Sequence, residues 1–354
     1  MNIYVLDETF TVIAVIDEYT SLIWTTRYFT HGDFELYMGA SEKALNTLQE
    51  GYYLVREQDV SPGEYRNVMI IMNKEIVTDV DDGDKLIVTG YCLKSILKRR
   101  VIINQTILSG TVQSCIRRLV TENIINPANA ERKISNFTLG TDTFSSSQTM
   151  KQQITGKNLE DIVTEICTAY GFGFDVYISG GNFVFYLFEG TDRTASQSLY
   201  PKVIFSSEFD NLLSSDYKKD YSNFANAVTV AGEGEGAARK KVTVGTATGL
   251  DRYEIWVDAR NTSSNDGEIS ETDYLAQLTQ EGNEALSESG VTTSFEGQVV
   301  NTANCTIGID YFLGDLVQVE NDYGVSAATR IIEIIFSEDV NGQDIIPTFS
   351  EMEV

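Results

Sequence analysis

Short β-branched, apolar runs cut by glycine or by Asn-Asp pairs recur through the last third of the chain, and they restrict it to antiparallel sheet. Ala227, Val228, Thr229 and Val230 form one run; Gly232, Gly234 and Gly236 release the backbone, and Lys241 to Val244 resumes the strand habit. This reads as a hairpin with a mobile tip. Leu316, Val317 and Val319 lead into a turn at Asn321, Asp322, Tyr323 and Gly324, and Arg330 to Phe336 returns as a long strand. Ser270 and Asp273 form a capping box for an acidic helix predicted over about 271–289. Residues 216–354 are therefore expected to form a β-barrel-like domain with that helix inserted.

The first 90 residues show the same habit. Val12, Ala14 and Ile16 alternate with their neighbours after a turn at Asp7 and Glu8, and further runs cover Ser21–Thr25, Phe34–Met38, Tyr52–Arg56, Val68–Asn73 and Lys85–Thr89. Six or so short strands around one short helix at Ser41–Gln49 close most economically into a second barrel or roll. Residues 91–215 differ. Helical spacing marks Gly90–Ile102, Thr111–Asn123 and Asn158–Tyr170, with Cys115 and Cys167 on buried stripes, and a glycine turn joins two strands at Phe172–Ile178 and Asn182–Phe188. The expected class is a mixed, β-rich α+β protein with two barrel-like ends around a helix-containing middle.

Charge and chemistry narrow the function. The 52 acidic residues against 26 basic ones give a net charge of -26, which repels phosphate backbones and anionic lipid and argues against sequence-specific nucleic-acid binding. Basic residues concentrate at Lys94, Lys98, Arg99 and Arg100, largely on the outer side or at the end of the helix expected over Gly90–Ile102, where ion pairs within or between subunits are expected. Four separated cysteines lack any CxxC partner, and His31 is the single histidine, so a multi-histidine metal site is impossible and any histidine-built triad has one candidate base. The loop Asp79–Asp84 lacks the alternation and closing glutamate of a calcium site and reads as a hairpin turn. GEGEG at Gly232–Gly236 lacks the Lys-Ser/Thr of a phosphate loop. A glycosidase needs only two carboxylates, and Glu189, Asp192 and Asp210 are the nearest to a candidate set. No cofactor, membrane segment or signal segment is expected, which places synthesis in the cytoplasm.

The order of HGDFELYMGA (His31–Ala40), GYCLKSILKRRVI (Gly90–Ile102), EGTDRTASQ (Glu189–Gln197), VIFSSEFDNL (Val203–Leu212), YSNFANAVTVAGEGEGAARKKV (Tyr221–Val242) and GDLVQVENDYGVSAATRIIEIIFSED (Gly314–Asp339) resembles the siphovirus Gp37-like family of phage and prophage tail proteins. More distantly it is similar to baseplate-hub and tail-tip proteins. The resemblance implies a non-enzymatic virion component, a homotrimeric ring at the distal end of the tail tube that contacts tube and tip or fibre proteins and lets DNA pass through its lumen. It transfers no catalytic residue. Three interface candidates go with it: Lys98–Arg100; the tip of Gly232, Glu233, Gly234, Glu235 and Gly236; and the strand-turn with Asp315, Val317 and Tyr323. A glycan-binding tail module and a cell-wall glycosidase are the alternatives.

Overall fold

The structure is a computed structural model that describes residues 1–78, 83–299 and 305–350. The acidic loop at 79–82 and Val300 lie outside the described residues. The chain is a β-rich α+β protein of several sheets, and among the described residues none closes on itself.

It divides into two units. The first comprises Met1–Ser215 together with Glu296–Ser350, and the second is built on Asp216–Phe295. The division differs from the three-segment expectation because the end of the chain pairs with its beginning. Ser326–Asp339, a strand of 14 residues, lies antiparallel to Ser21–Arg27, with Phe336 opposite Trp24, and it also pairs with Leu316–Glu320 and Gly342–Phe349. From Ser21–Arg27 the sheet continues through Asp33–Gly39, Lys85–Cys92, Met69–Val77, Tyr53–Arg56, Ile3–Leu6 and the edge strand Val12–Ile16.

Side-chain alternation gives this sheet two buried faces. Ile3, Val5, Leu22, Trp24, Leu36, Leu54, Met69, Ile71, Val88 and Phe336 share one core on its inner face. Leu6, Val55, Val68 and Ile70 point the other way, into a second core. Strands buried on both faces read as unbroken apolar runs, as Val68–Ile71 does. The curled sheet stops short of a ladder-closed barrel; the Met1 α-amino group and Tyr19 Oη reach Glu338 across the gap at 2.8 and 2.6 Å.

The second core is roofed by helices. Helix α1, Glu42–Thr47, packs Ala44 into the first core. Over the second, helix α2, Val112–Val120, starts at the Thr111 cap and buries Val112, Cys115, Ile116, Leu119 and Val120; helix α3, Leu159–Tyr170, starts at the Asn158 cap and ends on left-handed Gly171. Phe137–Leu139, Asn182–Phe188 and Gly173–Ser179 form the sheet beneath, extended by two short strands at 60–65. The helix expected over Gly90–Ile102 is instead a strand to Cys92 and then a 3-10 helix, Leu93–Arg99. Lys94 is not outward with its neighbours: it is buried, and its Nζ donates to the carbonyls of Arg27 and Tyr28.

In the second unit, Ala227–Ala231 pairs antiparallel with Lys241–Val244 and parallel with Glu254–Asp258. The predicted helix is present as Glu271–Glu288, with Asp273 N donating to Ser270 Oγ at 3.2 Å and Ser270 Oγ to Asp273 Oδ2 at 2.8 Å. It packs Tyr274 and Leu278 against Val228 and Val230. Gly282 sits where a Cβ would come within 2.9 Å of Val244 and 3.0 Å of Val230, so the close approach needs glycine. Residues 216–295 thus form a small three-stranded layer under one helix in place of a barrel, because the later strands belong to the other sheet.

Candidate assembly surfaces

Three chain segments bring basic side chains together. The 3-10 helix ends at Arg99, an isolated bridge ties Val101 to Asn158, and a second 3-10 turn, Ala130–Arg132, begins at the Asn129 cap. Arg100 Nε donates to the Arg132 carbonyl at 3.0 Å and its Nη1 to the Arg99 carbonyl at 2.9 Å. Arg132 Nη2 donates to the Val101 carbonyl at 2.6 Å and to Asn123 Oδ1 at 3.1 Å. Asn123 stands in a π-helical turn that follows α2, which turns its amide toward Arg132. All these acceptors are neutral. Burial, then the charges of Arg132 and Arg99, hold the Arg100 guanidinium below its ordinary pKa. Lys98 lies over the Tyr91 ring with its Nζ 3.5 Å from His31 Nε2.

The other two candidate surfaces fare differently. The glycine-rich tip is pinned rather than mobile at its first half: Gly232 is buried against Tyr274, Glu233 N donates to Tyr274 Oη at 2.7 Å, and the Glu233 carboxylate accepts from Ser264 N and Oγ at 2.9 and 2.7 Å. Gly234, Glu235 and Gly236 remain exposed. Asp315 and Val317, named as interface candidates, lie in the interior of this chain. Val317 is fully buried, and Asp315 accepts from Thr191 N at 2.7 Å, Phe312 N at 3.0 Å and Arg193 Nε at 2.6 Å. They hold the strand Leu316–Glu320, which leads into the turn bearing Tyr323, 92% exposed.

The family model described as Siphovirus ReqiPepy6 Gp37-like protein matches residues 2–349. The chain belongs to that family. The fold of this Gp37-like protein is shared by a tail protein from Neisseria meningitidis MC58 (TM-score 0.58, 16% identity, 98% of this chain and 96% of that one). It is shared by the 43 kDa tail protein of prophage MuSo2 from Shewanella oneidensis (0.58, 14%, 99% and 98%) and by prophage tail protein gp18 from Listeria monocytogenes EGD-e (0.56, 11%, 100% and 96%). No curated protein sequence matches it. The Gp37-like chain is thus a phage tail protein, as its sequence order implied.

Several titratable groups outside these surfaces have local partners. His31 Nδ1 lies 2.6 Å from buried Glu160 Oε1, which also accepts from His31 N at 3.2 Å. The four thiols are buried, and desolvation pushes Cys92 up to about 11 and Cys167 up to about 12. A cavity of about 520 Å³ is lined by Trp24, Arg56, Arg66, Asp175, Tyr186 and Glu189 among others. Asp59 beside it pairs with Arg56 at 2.6 Å, Asp175 accepts from Val176 N at 2.8 Å, and Asp192 accepts from Thr194 N at 2.9 Å. Asp210 ends a 3-10 turn in the left-handed region. Among the described residues no group of three His, Cys, Asp or Glu gathers as a metal site, and no helix is long and apolar enough to cross a membrane.

Proposed function

We propose that this Gp37-like protein is a non-enzymatic hub of the tail tip, a homotrimeric ring at the distal end of the tail tube that joins the tube to tip or fibre proteins. The observation that carries this reading is the match in both directions: the fold accounts for almost all of this chain and almost all of three known tail proteins. The chemistry agrees with it. The single histidine is occupied by Glu160 and the thiols are buried, so the pairing a nucleophile needs is not assembled from them. A net charge of -26 suits a wall past which DNA slides without sequence-specific contact, and assembly in the host cytoplasm suits thiols kept reduced.

Symmetry-resolved electron microscopy of tails carrying this chain tests the proposal. Threefold density continuous with the distal end of the tube is the expected result. A single copy per tail, or a position on the fibre shafts, sinks it.

A further inference from the structure

We infer that Arg99, Arg100 and Arg132, with Val101 and Ile103 among them, form the surface that receives carboxylates of a second copy of this chain. The inference rests on the ring reading and names the face through which subunits meet.

Several arginines elsewhere in the fold hold carboxylates: Arg27 holds Asp33 and Glu333, Arg56 holds Asp59, Arg117 holds Asp142 and Arg193 holds Asp315. These three do not. Among the described residues neither Glu131, next to Arg132 in sequence, nor any other carboxylate forms an ion pair with Arg99, Arg100 or Arg132, in a chain with twice as many acids as bases. Carbonyl and amide oxygens fix Arg100 and Arg132 side by side, with Arg100 Nε donating to the Arg132 carbonyl. Held guanidiniums without a counter-charge are preorganised for an anion, because ordering the fork is already complete.

The anion is a protein carboxylate. Val101 and Ile103 flank buried Ile102 and are 46% and 62% exposed, and Tyr91 is exposed near Lys98. Arginine and aromatic side chains around exposed aliphatic ones have the make-up of a protein contact, whereas a phosphate backbone offers the aliphatic groups nothing to bury against. A second copy is the occupant because each copy carries a charge of -26. Copies of such a chain repel unless a cationic face meets the acids of the neighbour, and this is a cationic face left without acids of its own.

Light scattering on the full chain, from about 50 mM to about 500 mM sodium chloride, reads the inference. The wild type is expected to associate at low salt and dissociate as salt rises. The variant R99E/R100E/R132E, with an unchanged circular dichroism spectrum, is expected to associate at least roughly thirtyfold more weakly; if it fails to fold, R99Q/R100Q/R132Q is read the same way. Association equal to wild type in the folded variant overturns the inference and leaves the ring reading standing. A wild type monomeric throughout also overturns it, and the ring is then decided by the symmetry of assembled tails. Salt-sensitive binding of a fluorescent DNA duplex or of phosphatidylserine vesicles, lost in the variant, overturns it in favour of phosphate.

Discussion

Asp315 accepts three hydrogen bonds in the interior, so removing its carboxylate leaves the nearly buried Arg193 guanidinium without a counter-charge. Asp315→Ala is expected to lower stability by about 3 kcal/mol, measured by urea unfolding; a loss below about 1 kcal/mol would show that water replaces the carboxylate. Buried acids with raised pKa values give a second expectation at this scale. The folded chain keeps the Cys167 thiol protonated up to about 12 and the Tyr28 phenol up to about 12, above their ordinary values of 9.0 and 10.0. Their contribution to stability is complete below the ordinary values and is lost as pH rises toward 12, since the unfolded chain releases these protons first. The urea midpoint should therefore fall steadily above about pH 9, and a flat profile from there to pH 11 contradicts this burial.

Elements whose signals are local were legible. The Ser270–Asp273 capping box, the Ala227–Val230 run and its return at Lys241, and the apolar stripes of α2 and α3 each lie within a few residues of their partners, and each appears where its spacing put it. The helix expected after Gly90 fails for a physical reason: Lys94 is drawn inward to two carbonyls, and the segment tightens into a 3-10 turn. Arg132 was invisible as a neighbour of Arg100, because nothing in the polar stretch around Pro127 announces the 3-10 turn that delivers it. The burial of Asp315 and Val317 is not legible from spacing, because an acid beside alternating apolar residues shows neither its donors nor its strand's neighbours. In the second unit, Gly282→Ala sets about 1 kcal/mol of helix propensity in favour of alanine against an overpacking cost of roughly 1–3 kcal/mol. The Cβ meets three valines at 2.9–3.2 Å, so overpacking should win and thermal unfolding should shift downward; a more stable variant would show that the valines rotate away.

At the scale of the molecule, the first sheet is one cooperative body drawn from both ends of the chain, and local periodicity carries no information about a pairing such as Trp24 with Phe336. Hydrogen exchange should find the amides of Ser21–Arg27 and Ser326–Asp339 protected together, with a common opening free energy; early exchange of one strand alone would mean that the seam frays independently. That seam also governs how the protein is made. When the first 90 residues leave the ribosome, the flank of Ser21–Arg27 has no strand beside it, and at 5–20 residues per second its mate emerges roughly 12–50 s later. Through that interval the nascent polypeptide carries a row of unpaired backbone N–H and C=O groups along Ser21–Arg27, so the unit is completed only when translation is nearly finished.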